Sequence, residues 1–193
     1  HDALVIGSTG TVGIRIIEEL LKYGYRVHAV TTNGSHSRGL EEYFSDAFVN
    51  GNILYYRNVN VYDIGEFLDF EERFRSAHCE NISCVIFCLA IGPQSGFMES
   101  APLDIRNTSE GMWNGVVEQY LHFFSRVTAF LAPLFHETCD IVFVTSGIAD
   151  LESDACPPWL TSSLYQSGKK RLDAFINYIR TRGIKIPKKH SFS

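Results

Sequence analysis

Hydrophobic positions fall into two alternating patterns. Short runs of aliphatic, β-branched and aromatic residues occupy Ala3 to Ile6, Tyr25 to Thr31, Ile53 to Arg57, Ser83 to Leu89 and Asp140 to Thr145, and these predict strands. Ser83 to Leu89 is apolar almost throughout, as expected of a strand in a sheet covered on both faces. Between the runs, apolar residues recur at helical spacing. Val12, Ile16, Ile17, Leu20 and Leu21 make one face of a helix that ends at Lys22, with Gly24 as its C-terminal stop. The same spacing predicts a short helix over 40–48, a helix over 64–75 carrying Phe67, Leu68, Phe70 and Phe74, a long one over 110–131, and another over 163–180. Ile184-Lys185-Ile186 reads as the stub of a sixth strand. Strict alternation of strand and helix predicts an α/β fold, a doubly wound parallel sheet with helices on both faces, in a single domain over 1–193 whose last strand or strands are missing.

The turn between the first strand and the first helix reads Gly7-Ser8-Thr9-Gly10-Thr11-Val12-Gly13. A strand, a glycine turn and a helix together hold a pyrophosphate. Gly7 can take a left-handed turn, Gly10 lets backbone approach the phosphates, and Gly13 lets the helix sit close on the strand. The helix start then offers free N–H groups and partial positive charge to the anion. This strand–turn–helix setting makes dinucleotide binding the expectation, against the plain alternative of a tight βα turn. An NAD site usually has an acid about 20 residues after the glycines, on the ribose hydroxyls. Here the positions are Thr31-Thr32-Asn33, without a carboxylate, and Arg38 follows closely. Thr32, Asn33 and Arg38 are therefore expected at the ribose, with Arg38 on a 2′-phosphate and NADP(H) favoured over NAD(H). Asn60-Val61, after the third strand, is expected near an adenine edge.

Composition narrows the partners. The 193 residues are 45% hydrophobic and 20% charged, an ordinary globular balance, and a formal net charge of −5 argues against a nucleic-acid or membrane surface. No apolar run is long enough to span a bilayer. The chain begins at His1 and is expected to be a fragment. None of the five cysteines forms a C-x-x-C pair, so buried reduced thiols, a cytoplasmic setting and no metal site are expected. The aromatic surplus on the long helix (Tyr120, Phe123, Phe124, Phe130) fits core packing or a homodimer or homotetramer contact equally well.

Tyr165 and Lys169 stand four residues apart on a helical stretch, and so share a face. An ammonium beside a phenol favours phenolate and lowers its pKa, which suits a proton donor and acceptor for an alcohol–carbonyl pair. Alone, such a pair is usually a surface feature. Here it follows a strand ending in Thr145-Ser146, and Ser146 can donate to a substrate oxygen.

These four features, Gly7 to Gly13, Asn60-Val61, Val144-Thr145-Ser146 and Tyr165 with Lys169, in this order along nearly the whole chain, resemble the short-chain dehydrogenase/reductase family. The resemblance implies a Rossmann fold, NAD(P) binding and hydride transfer to or from the carbon of a small carbonyl or alcohol. By it, Ser146 orients the substrate, Tyr165 is the general acid/base, and Lys169 binds the nicotinamide ribose and tunes Tyr165. Cys88, Leu89 and Ala90 would lie near the cofactor ribose and nicotinamide. The chain departs from the main branch in its glycine spacing, in Cys88-Leu89-Ala90-Ile91 where that branch has Asn-Asn-Ala-Gly, and in Tyr120 where it places a catalytic asparagine. Two alternatives follow from these departures: a non-catalytic NADP(H) scaffold or redox sensor, and a nucleotide-sugar epimerase-like enzyme.

Overall fold

A computed structural model describes residues 1–31, 37–59, 64–77, 81–88, 127, 129–130, 135–144, 174, 177, 185–186 and 190–191. The elements run β1 (Asp2–Ile6), α1 (Thr11–Lys22), β2 (Arg26–Val30), α2 (Ser37–Tyr43), α3 (Ser45–Val49), β3 (Ile53–Tyr56), α4 (Ile64–Ser76), β4 (Ile82–Phe87), β5 (Phe135–Phe143), β6 (Lys185–Ile186) and β7 (His190–Ser191). Five strands form one sheet in the order β3-β2-β1-β4-β5, every pair parallel. The strand order reverses at β1, which pairs with β2 on one side and β4 on the other. The chain divides into two compact units, His1–Leu89 with Thr128–Val144 and Ile184–Ser193, and Ala90–Val127 with Thr145–Gly183. The sheet belongs to the first.

Successive residues of a strand face opposite sides, and along β1 and β2 both sides are buried, whereas Asp140 and Val142 of β5 are exposed. All five residues of β1 are buried. Val5, Val27, Ala29, Ile53 and Ile86 pack with Ile17 of α1, Leu40 of α2 and Phe44 on one side. On the other, Tyr56 of β3 and His28 of β2 meet the α4 rings. Tyr56 lies 5.2 Å from Phe70 and 5.6 Å from Phe74, and His28 4.9 Å from Phe74. Phe130 closes this cluster, 6.2 Å from Phe74. His28 is completely buried, and its Nδ1 is 3.0 Å from the Tyr56 hydroxyl. Phe74→Ala is expected to cost about 3–5 kcal/mol, because a fully buried ring would leave a cavity lined by other rings. Urea unfolding measures it, and a loss below about 1 kcal/mol would mean that the cluster collapses around the gap.

Several boundaries differ from the expected ones. The helix over 40–48 is two helices, because Phe44 leaves helical geometry (φ −110°, ψ 32°) as its ring enters the core. β5 begins at Phe135 rather than Asp140. The register jumps from Ile82↔Phe135 to Cys84↔Asp140, so the residues between are absorbed in an irregularity that shows no alternation. The sixth strand does not extend the sheet: Lys185–Ile186 pairs antiparallel with His190–Ser191 in a two-stranded ribbon. Of the long helix over 110–131, Val127, Ala129 and Phe130 are described and helical.

Candidate functional site

Hydrogen bonds align the C-terminal ends of the strands. Gly7 N, Ser8 N and Ser8 Oγ all donate to the Val30 carbonyl at 3.0 Å, which ties the turn after β1 to the end of β2. Thr31 N donates to Tyr56 O, Cys88 N to Ile6 O and Val144 N to Phe87 O. All five strands therefore stop along one edge, and that edge of an open parallel sheet is where ligands bind, at the reversal of strand order.

The glycine turn stands at this reversal. Gly7 has φ 86°, a conformation that disfavours any side chain. A Cβ on Gly13 would lie 2.4 Å from the Gly7 carbonyl oxygen, so α1 approaches β1 more closely than any other residue allows. Gly10 is different. A Cβ there would meet only Gly7 O, at 3.8 Å, so the protein itself leaves room for a side chain. Gly10 caps α1 in extended geometry (ψ 157°), accepting from Ile14 N at 2.9 Å, with no side-chain cap and no acid in the first turn. Gly10, Thr11 and Val12 are exposed, whereas Ser8 is fully buried. A helix start that is open, uncapped and free of acid suits an anion.

Beside the turn lies a patch of hydroxyls. Thr9 Oγ1 and Thr31 Oγ1 are 3.0 Å apart, and the Tyr55 hydroxyl is buried near Ser8 and Thr31. Burial pushes the Tyr55 phenol up, and the Ser8 and Thr31 hydroxyls pull it partly back. Arg57 extends over the Tyr55 ring, 5.7 Å from its centroid, and pairs with Glu41 of α2. Tyr55, Arg57 and Glu41 were not among the expected site residues, because their proximity arises across strands. The one available signal was the basic residue ending the third apolar run.

Cys88 is half-buried just past the end of β4 and is in no disulfide. Cys84 and Cys139 are in no disulfide either, and burial pushes their thiols up to about 11 and about 12, so they stay protonated at neutral pH. Among the described residues no group of histidine, cysteine and acid could hold a metal, and no helix is long and apolar enough to cross a membrane. Arg38 is in α2, but its side chain lies outside the described residues. So do Thr32, Asn33, Asn60, Val61, Leu89, Ala90, Ser146, Tyr165 and Lys169.

No family model and no curated protein matches the sequence. Solved structures do. A carbonyl reductase from Pseudomonas aeruginosa in complex with NADP superposes with a TM-score of 0.73 at 18% identity, over 100% of this chain and 79% of the other. A bulky-bulky ketone specific alcohol dehydrogenase from Comamonas testosteroni gives 0.67 at 16%, over 98% and 71%. A serine dehydrogenase from Escherichia coli gives 0.65 at 15%, over 95% and 76%. The chain has their Rossmann fold. In a Rossmann fold the end of β1 and the start of α1 flank the dinucleotide, and here those are the positions of Gly7 to Gly13.

Proposed function

We propose that this chain is an NADP(H)-dependent oxidoreductase of the short-chain dehydrogenase/reductase type, acting between a carbonyl and the corresponding secondary alcohol. The observation that carries it is the acid-free glycine turn at the head of α1. Gly13 is packed against backbone, while Gly10 faces outward with space the protein does not need. The residues present fit a dinucleotide. Backbone N–H groups at the start of α1 would hold the pyrophosphate, and Thr31 stands where an NAD site has its acid.

When bound, the nicotinamide supplies or accepts the hydride. This chain's residues handle the proton and the substrate oxygen. Ser146 donates a hydrogen bond to that oxygen. Tyr165 delivers its phenolic proton in reduction and removes the alcohol proton in oxidation, and Lys169 stabilises the phenolate that results. Support comes from the order of these residues after the fifth strand and from the carbonyl reductase and alcohol dehydrogenase that share the fold.

The test is NADPH oxidation, followed by absorbance, with a panel of ketones, quinones and aldehydes. Turnover on any of them supports the proposal. NADPH binding, read by its fluorescence, with no turnover on the whole panel would select the scaffold or sensor instead. On the ribose side, Arg38→Ala is expected to weaken NADPH roughly 10- to 100-fold more than NADH, as loss of a charged hydrogen bond does. Titration of both coenzymes measures this, and equal weakening would remove Arg38 from the 2′-phosphate.

A further inference from the structure

We propose that Arg57 is a cofactor-specificity residue, its guanidinium receiving the adenosine 2′-phosphate while Glu41 holds it from behind. The inference rests on the NADP(H) reading above and adds a residue that reading did not contain.

The argument starts from strand register. β2 and β3 end as a pair, Val30↔Tyr56, so the next residues, Thr31 and Arg57, stand side by side just beyond the sheet. Ala29 and Tyr55 pack on the side covered by α1, α2 and α3. Alternation puts Thr31 and Arg57 on that same side, and their contacts agree. Thr31 meets Thr9 of the glycine turn, and Arg57 meets Tyr55 and Glu41 of α2. Thr9, Thr31 and Arg57 thus form a row across the ends of β1, β2 and β3, where the adenosine half of a dinucleotide lies in this type of sheet.

Charge along the row decides what it accepts. A ribose with a free 2′-hydroxyl is held by a carboxylate, and among the described residues no carboxylate stands in the row; its charged member is a cation. The acid beside it, Glu41, already pairs with Arg57. A guanidinium has five N–H donors, and one carboxylate engages at most two, so Arg57 can keep Glu41 and still present a free edge. That edge is accessible, since the Arg57 side chain is 47% exposed. The Tyr55 ring lies beneath it, with its hydroxyl buried, and offers the guanidinium a flat face to rest on. A planar fork held from two sides is suited to bidentate contact with phosphate oxygens. Glu41 then opposes the same phosphate by like charge. It serves as an orienting group that also limits affinity.

The experiment is calorimetry with three probes, adenosine 2′,5′-bisphosphate, 5′-AMP and inorganic phosphate, on the wild-type chain and on Arg57→Gln, Arg57→Lys and Glu41→Gln. The bisphosphate is expected to bind more tightly than 5′-AMP. Arg57→Gln should weaken it roughly 10- to 100-fold and leave 5′-AMP within about twofold. Arg57→Lys should recover part of the loss, as charge without the fork. Glu41→Gln should tighten the bisphosphate severalfold and leave 5′-AMP unchanged, and because it removes no cation it decides the matter should Arg57→Gln fail to fold. Equal weakening of both nucleotides by Arg57→Gln, or no response of the bisphosphate to Glu41→Gln, would overturn the inference while leaving the dinucleotide reading intact. Inorganic phosphate binding as tightly as the bisphosphate would overturn it too, by marking a free-phosphate site. If neither nucleotide binds, the dinucleotide reading falls and this inference with it.

Discussion

Gly13→Ala is expected to destabilise the protein by about 3 kcal/mol, the range for forcing extra volume into a packed region. The sign is the informative part. In an exposed helix interior the same change stabilises by about 1 kcal/mol. Here the new methyl group would sit 2.4 Å from the Gly7 carbonyl oxygen and 3.0 Å from two Ser8 backbone atoms, none of which can rotate away. Relief requires α1 to move off β1, which opens the turn and its anion-binding N–H groups. Gly10→Ala is the control: its Cβ meets one atom at an ordinary 3.8 Å, so stability should hold. If phosphates lie over Gly10, NADPH affinity should nevertheless drop at least tenfold. Urea unfolding with NADPH titration on both variants separates the two effects, and unchanged stability in Gly13→Ala would contradict the packing described here.

Tyr165→Phe is expected to lower turnover by about 100- to 10,000-fold, the usual range for removing a general acid/base. The variant retains the ring and loses the proton, so NADPH affinity should change far less than kcat. Steady-state rates on the best carbonyl substrate, beside NADPH fluorescence titration, give both quantities. Turnover within threefold of wild type would take the proton-transfer role from Tyr165.

The sheet was legible in the sequence because its central strands are buried on both faces. Unbroken runs such as Ile82–Phe87 carry that signal directly, and the helical spacing of α1 and α4 carries the layers. The misreadings have physical causes. Phe44 fits a helical repeat but turns the chain, since its ring is worth more in the core than one more residue of helix. The start of β5 is irregular and shows no alternation to read. The pairing of Lys185–Ile186 with His190–Ser191 depends on a partner that local pattern does not name. At the candidate site, Gly7 and Gly13 were legible because backbone geometry there excludes side chains. The row formed by Thr9, Thr31 and Arg57 was not, because it exists only once three strands are in register.

The position of β1 also bears on how the chain is made. Its first neighbour, β2, follows within about 25 residues, but its second, β4, begins at Ile82. At a synthesis rate of about 5–20 residues per second, the far edge of β1 waits roughly 4 to 16 s for its partner. Throughout that interval a fully apolar strand edge, Ala3 to Ile6, stands ready to pair with any extended chain nearby. Nascent chains halted between β3 and β4 should therefore be the aggregation-prone species of this protein and the ones a chaperone protects.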